Sequence, residues 1–331
     1  GVSKGAMLTH RNLLMNVAQV VAFRGGAIQE SDRVLTALPL YHIFAFTANL
    51  LCFFARGAHN ILIPNPRPLT NLRKAFEKEA ITFISGVNTL FNALLNEPWF
   101  CANPPKSLRV SIAGGMALQE SVARRWRKIT GTEISEGYGL TESSPVLTLH
   151  PAGREKLGSI GVPLPSTEMK CVGDDGIEVA IGQPGEIIAR GPQVMPGYWR
   201  QPGETENVLR DGWLYTGDIG TMDAEGYFTI VDRRKDMIVV SGFKVFPNEV
   251  EAVLAGLPGV KECAVIGVPD AAGGDVVKAF VVRGDPALDA AAVRDFCRNE
   301  LASYKVPKLV EFRDDLPKSN VGKILRKELR T

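Results

Sequence analysis

The sequence EGYGLTE, at residues 136–142, has the pattern of a glycine turn at the end of a strand. It directly follows the strand-like residues 133–135, and its glycines allow the tight turns found where a strand ends. Open α/β sheets bind ligands at the carboxyl ends of their strands. There, Tyr138 would offer a flat face to a base, Thr141 a hydroxyl to a phosphate oxygen, and Glu142 a hard oxygen ligand to Mg²⁺. The alternative is an ordinary β-turn with an exposed acid.

The chain before this turn alternates between strand-like and helical patterns. Apolar strand-like runs occupy residues 34–38, 60–63, 81–84 and 109–113. Helical patterns occupy residues 46–54, 69–80, 88–96 and 118–129. Strands separated by helices of this length predict βα units and a parallel sheet.

The pattern changes near Gly158. From there to Asp232, glycines and prolines punctuate short strands, which predicts an antiparallel barrel or a small sheet. Strands then follow at 237–240, 263–268 and 279–282, with helices at 248–257 and 290–301, which indicates an α+β domain of roughly a hundred residues. We therefore predict a large region, 1–232, divided into an α/β part (1–157) and a β-rich, barrel-like part (158–232). A mobile C-terminal domain, 233–331, would turn about a hinge near Lys235.

The composition is that of an ordinary globular protein with two or more domains. The 331 residues are 45% hydrophobic and 22% charged, and the net charge of +2 is too small to imply a nucleic-acid partner. The basic last thirty residues are interpreted as a solvated surface rather than an anion-binding patch. The longest apolar stretch, 45–55, is about half the length of a membrane span, so it is interpreted as a core helix.

The five cysteines are scattered and lack metal-ligand spacing, which predicts buried, reduced thiols in a cytoplasmic protein. The first five residues, GVSKG, can form the tail of a phosphate-binding loop in which Lys4 supplies the positive charge. A glycine turn with a surface lysine is the alternative. Because the sequence opens inside this loop and without Met, we expect a fragment of a longer protein. The polar, glycine-rich first residues do not resemble a secretory signal.

Three further motifs carry candidate chemistry. In YTGD, at 215–218, the carboxylate of Asp218 could hold two vicinal ribose hydroxyls. The charged run DRRKD at 232–236 continues into SGFKVFP at 241–247. The third motif, PKSNVGKIL at 317–325, places a lysine on a glycine turn near the C-terminus. Each motif by itself is better explained as an ordinary structural feature than as a site.

In this order and at these separations, the motifs resemble the adenylate-forming superfamily, which includes acyl-CoA synthetases, peptide-synthetase adenylation domains and luciferases. The resemblance covers essentially the whole chain and is nearest to bacterial long-chain fatty-acid–CoA ligases. It rests also on KGAMLTHRN at 4–12, LPLYHIF at 38–44, GVNTLFNALL at 86–95 and YKVPK at 304–308. The chain lacks the Ser/Thr/Gly-rich stretch that precedes Gly1 in the family. The phosphate loop, the parallel sheet and the acyl pocket are therefore expected to be incomplete.

The resemblance implies that a fatty acid attacks ATP to give an acyl-adenylate, which coenzyme A converts to a thioester. It assigns Lys4 to the outgoing phosphates, Thr141 to the α-phosphate and Glu142 to Mg²⁺. Gly137 and Tyr138 would lie at the adenine. These assignments make ATP, Mg²⁺ and CoA the expected cofactors and co-substrates.

The resemblance assigns a second group of residues to the C-terminal part of the site. Asp218 and Arg233 would hold the ribose, and Lys323 would bridge the carboxylate and the α-phosphate in the first step only. Rotation about Lys235 would then remove Lys323 and present the Gly242 loop to CoA.

The acyl pocket is the least determined part of the prediction. His42, Asn88, Gly115 and Met116 are candidate walls, with Phe91 beside them. His42 is equally well interpreted as a histidine at the edge of the core. The acid could be long-chain, medium-chain, aryl or an amino acid, and the chain could instead be an inactive nucleotide-binding fragment. An insoluble substrate would suit peripheral contact with the inner face of the membrane.

Overall fold

The chain folds into two compact units in the computed structural model, which describes residues 4–270, 274–320 and 322–330. The first unit comprises Gly1–Thr216 and Thr221–Ile230, and the second comprises Gly217–Gly220 and Val231–Thr331. Asp218 therefore belongs to the second unit. The predicted boundary after Asp232 and the hinge at Lys235 remain predictions.

The first unit opens with an α/β layer. Its elements are, in chain order, α1 (His10–Phe23), β1 (Arg33–Thr36), a π-helix (Phe44–Leu51) that continues into α2 (Cys52–Phe54), β2 (His59–Leu62), α3 (Thr70–Lys78), β3 (Phe83–Gly86), α4 (Asn88–Leu95), α5 (Pro98–Ala102), β4 (Val110–Ala113), α6 (Glu120–Thr130), β5 (Ile134–Gly139), a 3₁₀ turn (Thr141–Ser143), β6 (Val146–Leu149) and β7 (Val162–Pro163). The sheet order is β2-β1-β3-β4-β5-β6-β7. Pairing is parallel from β2 to β5 and antiparallel from β5 to β7.

Both faces of this sheet are covered, which explains the apolar runs in the sequence. Val34 and Phe83 are buried in a cluster with residues of α1 and α2, whereas their neighbours Leu35 and Ile84 are buried in a cluster with residues of α3, α4 and α6. Successive strand residues point to opposite faces, so a strand covered on both sides is apolar throughout. The predicted parallel sheet is confirmed.

The rest of the first unit is built around a five-stranded sheet, two of whose strands run on into the second unit. Its elements are β8 (Glu168–Val172), β9 (Gly185–Arg190), α7 (Pro202–Val208), β10 (Leu209–Arg210), β11 (Trp213–Met222) and β12 (Phe228–Arg233). The order is β10-β11-β9-β8, and β12 pairs with β11. The β8–β9 and β10–β11 pairs are antiparallel, which confirms the prediction of a small antiparallel sheet.

The second unit has the predicted α+β character. After a 3₁₀ turn (Arg234–Asp236) come β13 (Ile238–Val240), β14 (Phe243–Val245), α8 (Pro247–Ala255), β15 (Val260–Pro269), β16 (Asp275–Arg283), α9 (Ala290–Glu300) and β17 (Leu309–Arg313). The strands β15, β16 and β17 form one sheet. Side chains of α8 and α9 are buried against one face, and Leu316 and Leu329 from the C-terminal segment are buried against the other.

Three predictions about burial need correction. The basic C-terminal segment is not a uniformly solvated surface, because the side chains of Lys318 and Arg326 are only 12% and 15% exposed and both are ion-paired. The cysteines are all free, but Cys101 is half-buried while the other four are buried. The predicted core helix at 46–54 is interior only in part, because Cys52 and Phe53 are buried whereas Phe54 is 76% exposed. Among the described residues, no helix is both long and apolar enough to cross a membrane.

Candidate functional site

The turn after β5 has a shape that only glycine permits. A Cβ atom on Gly139 would lie 1.8 Å from the carbonyl oxygen of Pro145. The register between β5 and β6 shifts between Tyr138 and Gly139, and the main-chain nitrogen of Leu140 donates to the Pro145 carbonyl at 3.2 Å. The chain therefore turns tightly into the 3₁₀ turn. This places the exposed Thr141 and the half-buried Glu142 at the carboxyl end of a strand.

A tyrosine that sequence reasoning missed holds the Glu142 carboxylate. The hydroxyl of Tyr198 donates to Oε1 of Glu142 at 2.6 Å, and the main-chain nitrogen of Met195 donates to the Glu142 carbonyl at 2.8 Å. Burial, and then the neighbouring Glu142 carboxylate, raise the pKa of the Tyr198 hydroxyl. The hydroxyl therefore stays protonated at neutral pH and remains a donor.

Lys4 lies at the same tyrosine. Its ammonium is 5.1 Å from the centre of the Tyr198 ring and forms an ion pair with Glu204. Main-chain hydrogen bonds of 2.7 and 2.9 Å join residues 5–7 to residues 197–199. The structure thus brings both Lys4 and Glu142 into contact with Tyr198, Lys4 at the ring and Glu142 at the hydroxyl, although they are far apart in the sequence. The rest of the predicted phosphate loop, residues 1–3, lies outside the described residues.

Gly137 and Tyr138 are half-buried on the last part of β5. A Cβ on Gly137 would be 3.1 Å from the side chain of Leu149 and 3.3 Å from the carbonyl of Thr148, so the strand pair is closely packed there. The residue before them, Glu136, is buried, and burial raises the pKa of its carboxyl to about 8. The nitrogen of Leu118 approaches its Oε1 at 3.4 Å. Glu136 was not singled out from the sequence, because its burial is a tertiary property.

The acyl-pocket candidates form a loose set around the π-helix and α4. Met116 packs against the buried cluster of Leu38, Ala45 and Val87, and Gly115 adopts a φ of 79°. The buried Asn88 accepts a hydrogen bond of 3.0 Å from the nitrogen of Gln119, just before α6.

The two ring-bearing candidates are both involved in local packing. Phe91 is fully buried edge-on against Trp126, with ring centres 4.8 Å apart. The half-buried His42 accepts at Nδ1 from the nitrogen of Phe44, at 3.3 Å. This contact at the start of the π-helix fits the core-edge interpretation of His42.

In the second unit, Asp218, Arg233 and Lys323 share one environment. Arg233 Nε lies 3.6 Å from Oδ1 of the buried Asp218. Burial, and then the charge of Arg233, lower the pKa of Lys323 to about 8, while Asp218 acts in the opposite direction. The structure therefore brings together three residues for which the sequence predicts roles at the nucleotide and the acid, and those roles remain predictions.

Lys323 is carried by a closed turn. The nitrogen of Ser319 donates to the carbonyl of Lys323 at 2.8 Å, and the hydroxyl of Ser319 accepts from the nitrogen of Lys323 at 3.2 Å. Gly322 has a φ of 83°, a value that glycine adopts without strain. Val321, which belongs to the predicted motif, lies outside the described residues.

The hinge and loop candidates are exposed. Lys235 lies in the 3₁₀ turn before β13, and Gly242 lies between β13 and β14. Gly242 has a φ of 85°, with no atom within 4 Å of the position of a Cβ. The conformation of this turn, rather than crowding, therefore favours glycine.

Glu142 is the residue that the sequence predicts to bind Mg²⁺. No cluster of three or more His, Cys, Asp or Glu side chains suited to a metal occurs among the residues described. Mg²⁺ is commonly held by one or two carboxylates together with substrate phosphates and water, so a single oriented carboxylate is sufficient. The Glu142 carboxylate, fixed at one oxygen by Tyr198, satisfies this requirement.

A mainly parallel sheet with a glycine turn, a hydroxyl and a carboxylate at a strand end defines a class of α/β proteins that bind ligands at that edge. The family model described as AMP-binding enzyme matches residues 1–199, and the AMP-binding enzyme C-terminal domain model matches residues 249–323. The chain therefore belongs to the AMP-binding enzyme family.

Relatives and solved structures agree with this assignment. A long-chain-fatty-acid–CoA ligase of Escherichia coli O157:H7 is 56% identical over 332 residues, which cover 100% of this chain and 59% of the relative. A feruloyl-CoA synthase of an Amycolatopsis species is 43% identical, with 100% and 67% coverage. ATP-bound MatB from Rhodopseudomonas palustris superimposes with a TM-score of 0.93 at 35% identity, covering 100% of this chain and 65% of MatB.

A second solved structure is the O-succinylbenzoate coenzyme A synthetase of Bacillus subtilis in complex with ATP and magnesium ion. It gives a TM-score of 0.87 at 33% identity, with coverage of 98% of this chain and 66% of that one. The chain spans 59% of the length of the long-chain-fatty-acid–CoA ligases that it matches.

Proposed function

We propose that the protein activates a long-chain fatty acid with ATP and transfers the acyl group to coenzyme A. The 56% identity to a long-chain-fatty-acid–CoA ligase over the whole chain carries this proposal. In the first step a carboxylate oxygen attacks the α-phosphorus, the bond to the β-phosphate breaks, and pyrophosphate leaves. In the second step the thiol sulfur of CoA attacks the acyl carbon, AMP leaves, and the thiol proton passes to solvent.

The first step joins two anions, so positioned positive charge is the main requirement. Lys4 would neutralise the departing phosphates, and Thr141 would donate to an α-phosphate oxygen. Mg²⁺, held by Glu142, would supply further charge neutralisation at the phosphates. Gly137 and Tyr138 would form the adenine site, and Asp218 with Arg233 would bind the ribose.

Lys323 would bridge the attacking carboxylate and the α-phosphate. A flexible ammonium suits this task because it supplies charge without demanding bidentate geometry. Burial lowers the pKa of Lys323 to about 8. The negative charge of bound phosphates would raise this pKa and so favour the charged form of the lysine. Lys235 would be the hinge that withdraws Lys323 before the second step and brings the Gly242 loop to CoA.

The two half-reactions of a Lys323→Ala variant test this assignment in the intact protein. Acyl-adenylate formation should fall at least a hundredfold, while thioester formation from supplied acyl-adenylate should change little. Lys327→Ala, which removes an exposed lysine four residues further on, is the matched control and should leave both steps unchanged. Equal losses in both half-reactions of Lys323→Ala would refute the role.

The ribose assignment has its own test. Asp218→Ala should weaken ATP binding measured by calorimetry, since the carboxylate would no longer accept from the ribose hydroxyls. Asp314→Ala, which removes an exposed acid of the same unit, should leave the affinity for ATP unchanged. Unchanged ATP affinity in Asp218→Ala would remove Asp218 from the nucleotide site.

The 43% identity to a feruloyl-CoA synthase favours, as a second candidate, a ligase for an aryl or other acid. His42, Asn88, Gly115 and Met116 are the acyl-pocket residues that we propose. A competition assay with acids of increasing chain length, together with ferulate, separates the two candidates. Pyrophosphate release by this chain alone would distinguish an active enzyme from a nucleotide-binding fragment.

We further propose a cytoplasmic protein that contacts the inner face of the membrane peripherally, because its substrate is poorly soluble. Flotation with vesicles that contain the fatty acid tests this contact. Absence of the protein from the floating fraction would contradict it.

A further inference from the structure

One arginine of the C-terminal segment, Arg326, is surrounded by three acidic side chains. Arg326, whose side chain is 15% exposed, donates to both oxygens of Glu251, at 3.0 and 2.7 Å. It also donates to Asn248 Oδ1 and to Asp232 Oδ1, the latter at 3.2 Å. Asp236 lies within 3.7 Å of the same guanidinium. This buried, multiply bonded arginine has no part in the function proposed above.

The partners of Arg326 are themselves held rigidly. The fully buried Asp232 accepts at 2.7 Å from the nitrogens of both Arg233 and Asn248, and Glu251 accepts at 2.8 Å from the nitrogen of Val265. Burial raises the pKa of Asp232 and of Glu251, whereas the charge of Arg326 lowers both. The charges of the buried Asp232 and the half-buried Glu251 are therefore both stabilised by Arg326, and removal of the arginine would leave them uncompensated.

Arg326 connects the turn that carries Lys323 to the residues around the hinge candidate Lys235. Arg326 comes three residues after Lys323, and two of its partners, Asp232 and Asp236, lie on either side of Lys235. Arg330 reinforces the contact by donating to Asp236 at 2.9 Å. The polar side of the C-terminal segment is thus bound to the residues that flank the hinge candidate.

The apolar side of the same segment is anchored separately. Leu316 and Leu329 are buried with Phe280 on one face of the β15–β17 sheet, and Ile324 packs against them. The turn that carries Lys323 is therefore attached to the second unit by apolar contacts on one side and by Arg326 on the other.

We propose that Arg326 is a positioning residue, which holds the Lys323 turn against Glu251 and the 232–236 segment and so fixes the place of the Lys323 ammonium in the first step. This inference rests on the proposed function. Without this contact the turn would be more mobile, and the ammonium of Lys323 would spend less time where the first step requires its charge. Misplacement of a catalytic group by about 1 Å can lower the rate on the order of a hundredfold.

The test compares Arg326→Gln and Arg326→Lys in the two half-reactions of the intact protein. Arg326→Gln should reduce acyl-adenylate formation at least tenfold and change thioester formation from supplied acyl-adenylate less than twofold. Arg326→Lys should reduce acyl-adenylate formation by a smaller factor, because lysine keeps the positive charge but not the guanidinium fork that binds both oxygens of Glu251. Arg313→Gln, which removes an ion pair to Glu311 in the same unit, is the matched control and should leave both steps unchanged.

A second measurement does not depend on activity. Hydrogen exchange of the main-chain amides of Ser319 and Leu325 should accelerate in Arg326→Gln and remain unchanged in Arg313→Gln. If Arg326→Gln does not fold, Glu251→Gln provides the test, because it weakens the same fork while the arginine stays. Equal losses in both half-reactions, or unchanged exchange, would overturn the inference.

Lys323→Ala, assayed in parallel, separates failure of the inference from failure of the proposed function. If Lys323→Ala is selective for the first step and the Arg326 variants are not, only the inference about Arg326 is wrong. If Lys323→Ala itself leaves the first step intact, the proposed role of Lys323 fails and the inference falls with it.

Discussion

The hydroxyl of Tyr198 donates a 2.6 Å hydrogen bond to the carboxylate of Glu142, across a sequence separation of 56 residues. The ammonium of Lys4 lies over the ring of the same tyrosine. One side chain therefore organises both the acid proposed for Mg²⁺ and the lysine proposed for the phosphates. Tyr198 thus links two motifs that are independent in the sequence.

Tyr198→Phe should weaken the response of the enzyme to Mg²⁺. The variant keeps the ring under Lys4 but loses the donor to Glu142, and a hydrogen bond to a charged group contributes about 1.5–3 kcal/mol. We expect the Mg²⁺ concentration for half-maximal acyl-adenylate formation to rise roughly tenfold. Tyr227→Phe, which removes a hydrogen bond to the carbonyl of Arg154, is the control. An unchanged Mg²⁺ titration in Tyr198→Phe would show that Glu142 needs no such support.

Gly139→Ala should destabilise the first unit strongly. The added Cβ would lie 1.8 Å from the Pro145 carbonyl oxygen, so β5 and β6 would have to separate. Overpacking of this severity costs about 3 kcal/mol or more, and the melting temperature should fall on the order of 10 °C. Gly203→Ala is the control, because its Cβ would meet no atom within 4 Å. Equal melting temperatures for the two variants would contradict the described turn.

Glu136→Gln should change how stability depends on pH. The carboxyl has a folded pKa of about 8, above its ordinary value of 4.5, so the folded protein holds a proton that the unfolded chain releases. The unfolding free energy of the parent protein should therefore fall as pH rises from 4.5 to 8. Glutamine cannot ionise and keeps an oxygen for the Leu118 nitrogen.

The measurement is the melting temperature of Glu136→Gln minus that of the parent, followed across pH. This difference should increase between pH 5 and pH 8, on the order of 5 °C, and then level off. The Glu225→Gln variant, which alters an exposed acid, should show no such rise. A difference that stays constant across this range would mean that Glu136 is not buried as described.

Lys323 should react with acylating reagents at unusually low pH. Its pKa of about 8 means that half of the side chains are neutral, and therefore nucleophilic, at that pH, whereas an ordinary lysine is almost entirely charged. Competitive labelling with acetic anhydride, followed by mass spectrometry, should give a midpoint near pH 8 for Lys323. Bound ATP should raise this midpoint, because the phosphates favour the charged form. A midpoint near 10.5 with and without ATP would disprove the buried, positively charged surroundings of Lys323.

Much of the fold could be predicted because its signals are local. The runs around Val34 and Ile84 are apolar on both faces, which is the pattern of a covered parallel strand. The segment at 46–54 was predicted as a helix, but the structure forms a π-helix over Phe44–Leu51 before α2. The wider hydrogen-bond spacing of a π-helix depends on packing around it, so the apolar pattern does not reveal it.

The candidate site was predictable only in part. Thr141, Glu142 and Lys323 stand in short motifs, so they could be proposed from spacing and resemblance, and their catalytic roles remain predictions. Tyr198 stands in an ordinary Pro-Gly turn segment with no local signal of its contact with Glu142. Arg326 belongs to the basic last thirty residues, for which the sequence predicts a solvated surface. Its acidic partners lie 75 to 94 residues earlier in the chain, so no local pattern reveals them.

The order of most strands and helices, the glycine turns and the identity of the groups available for chemistry could be predicted from the residues alone. These follow from backbone preferences and from the period of apolar residues, which act over a few neighbours. Which of those groups share a low-dielectric environment depends on how the chain packs in three dimensions. Burial raises the pKa of Glu136 and lowers that of Lys323, and folding brings Arg326 close to three acids. Desolvation and charge pairing depend on distances in space rather than on distances along the chain.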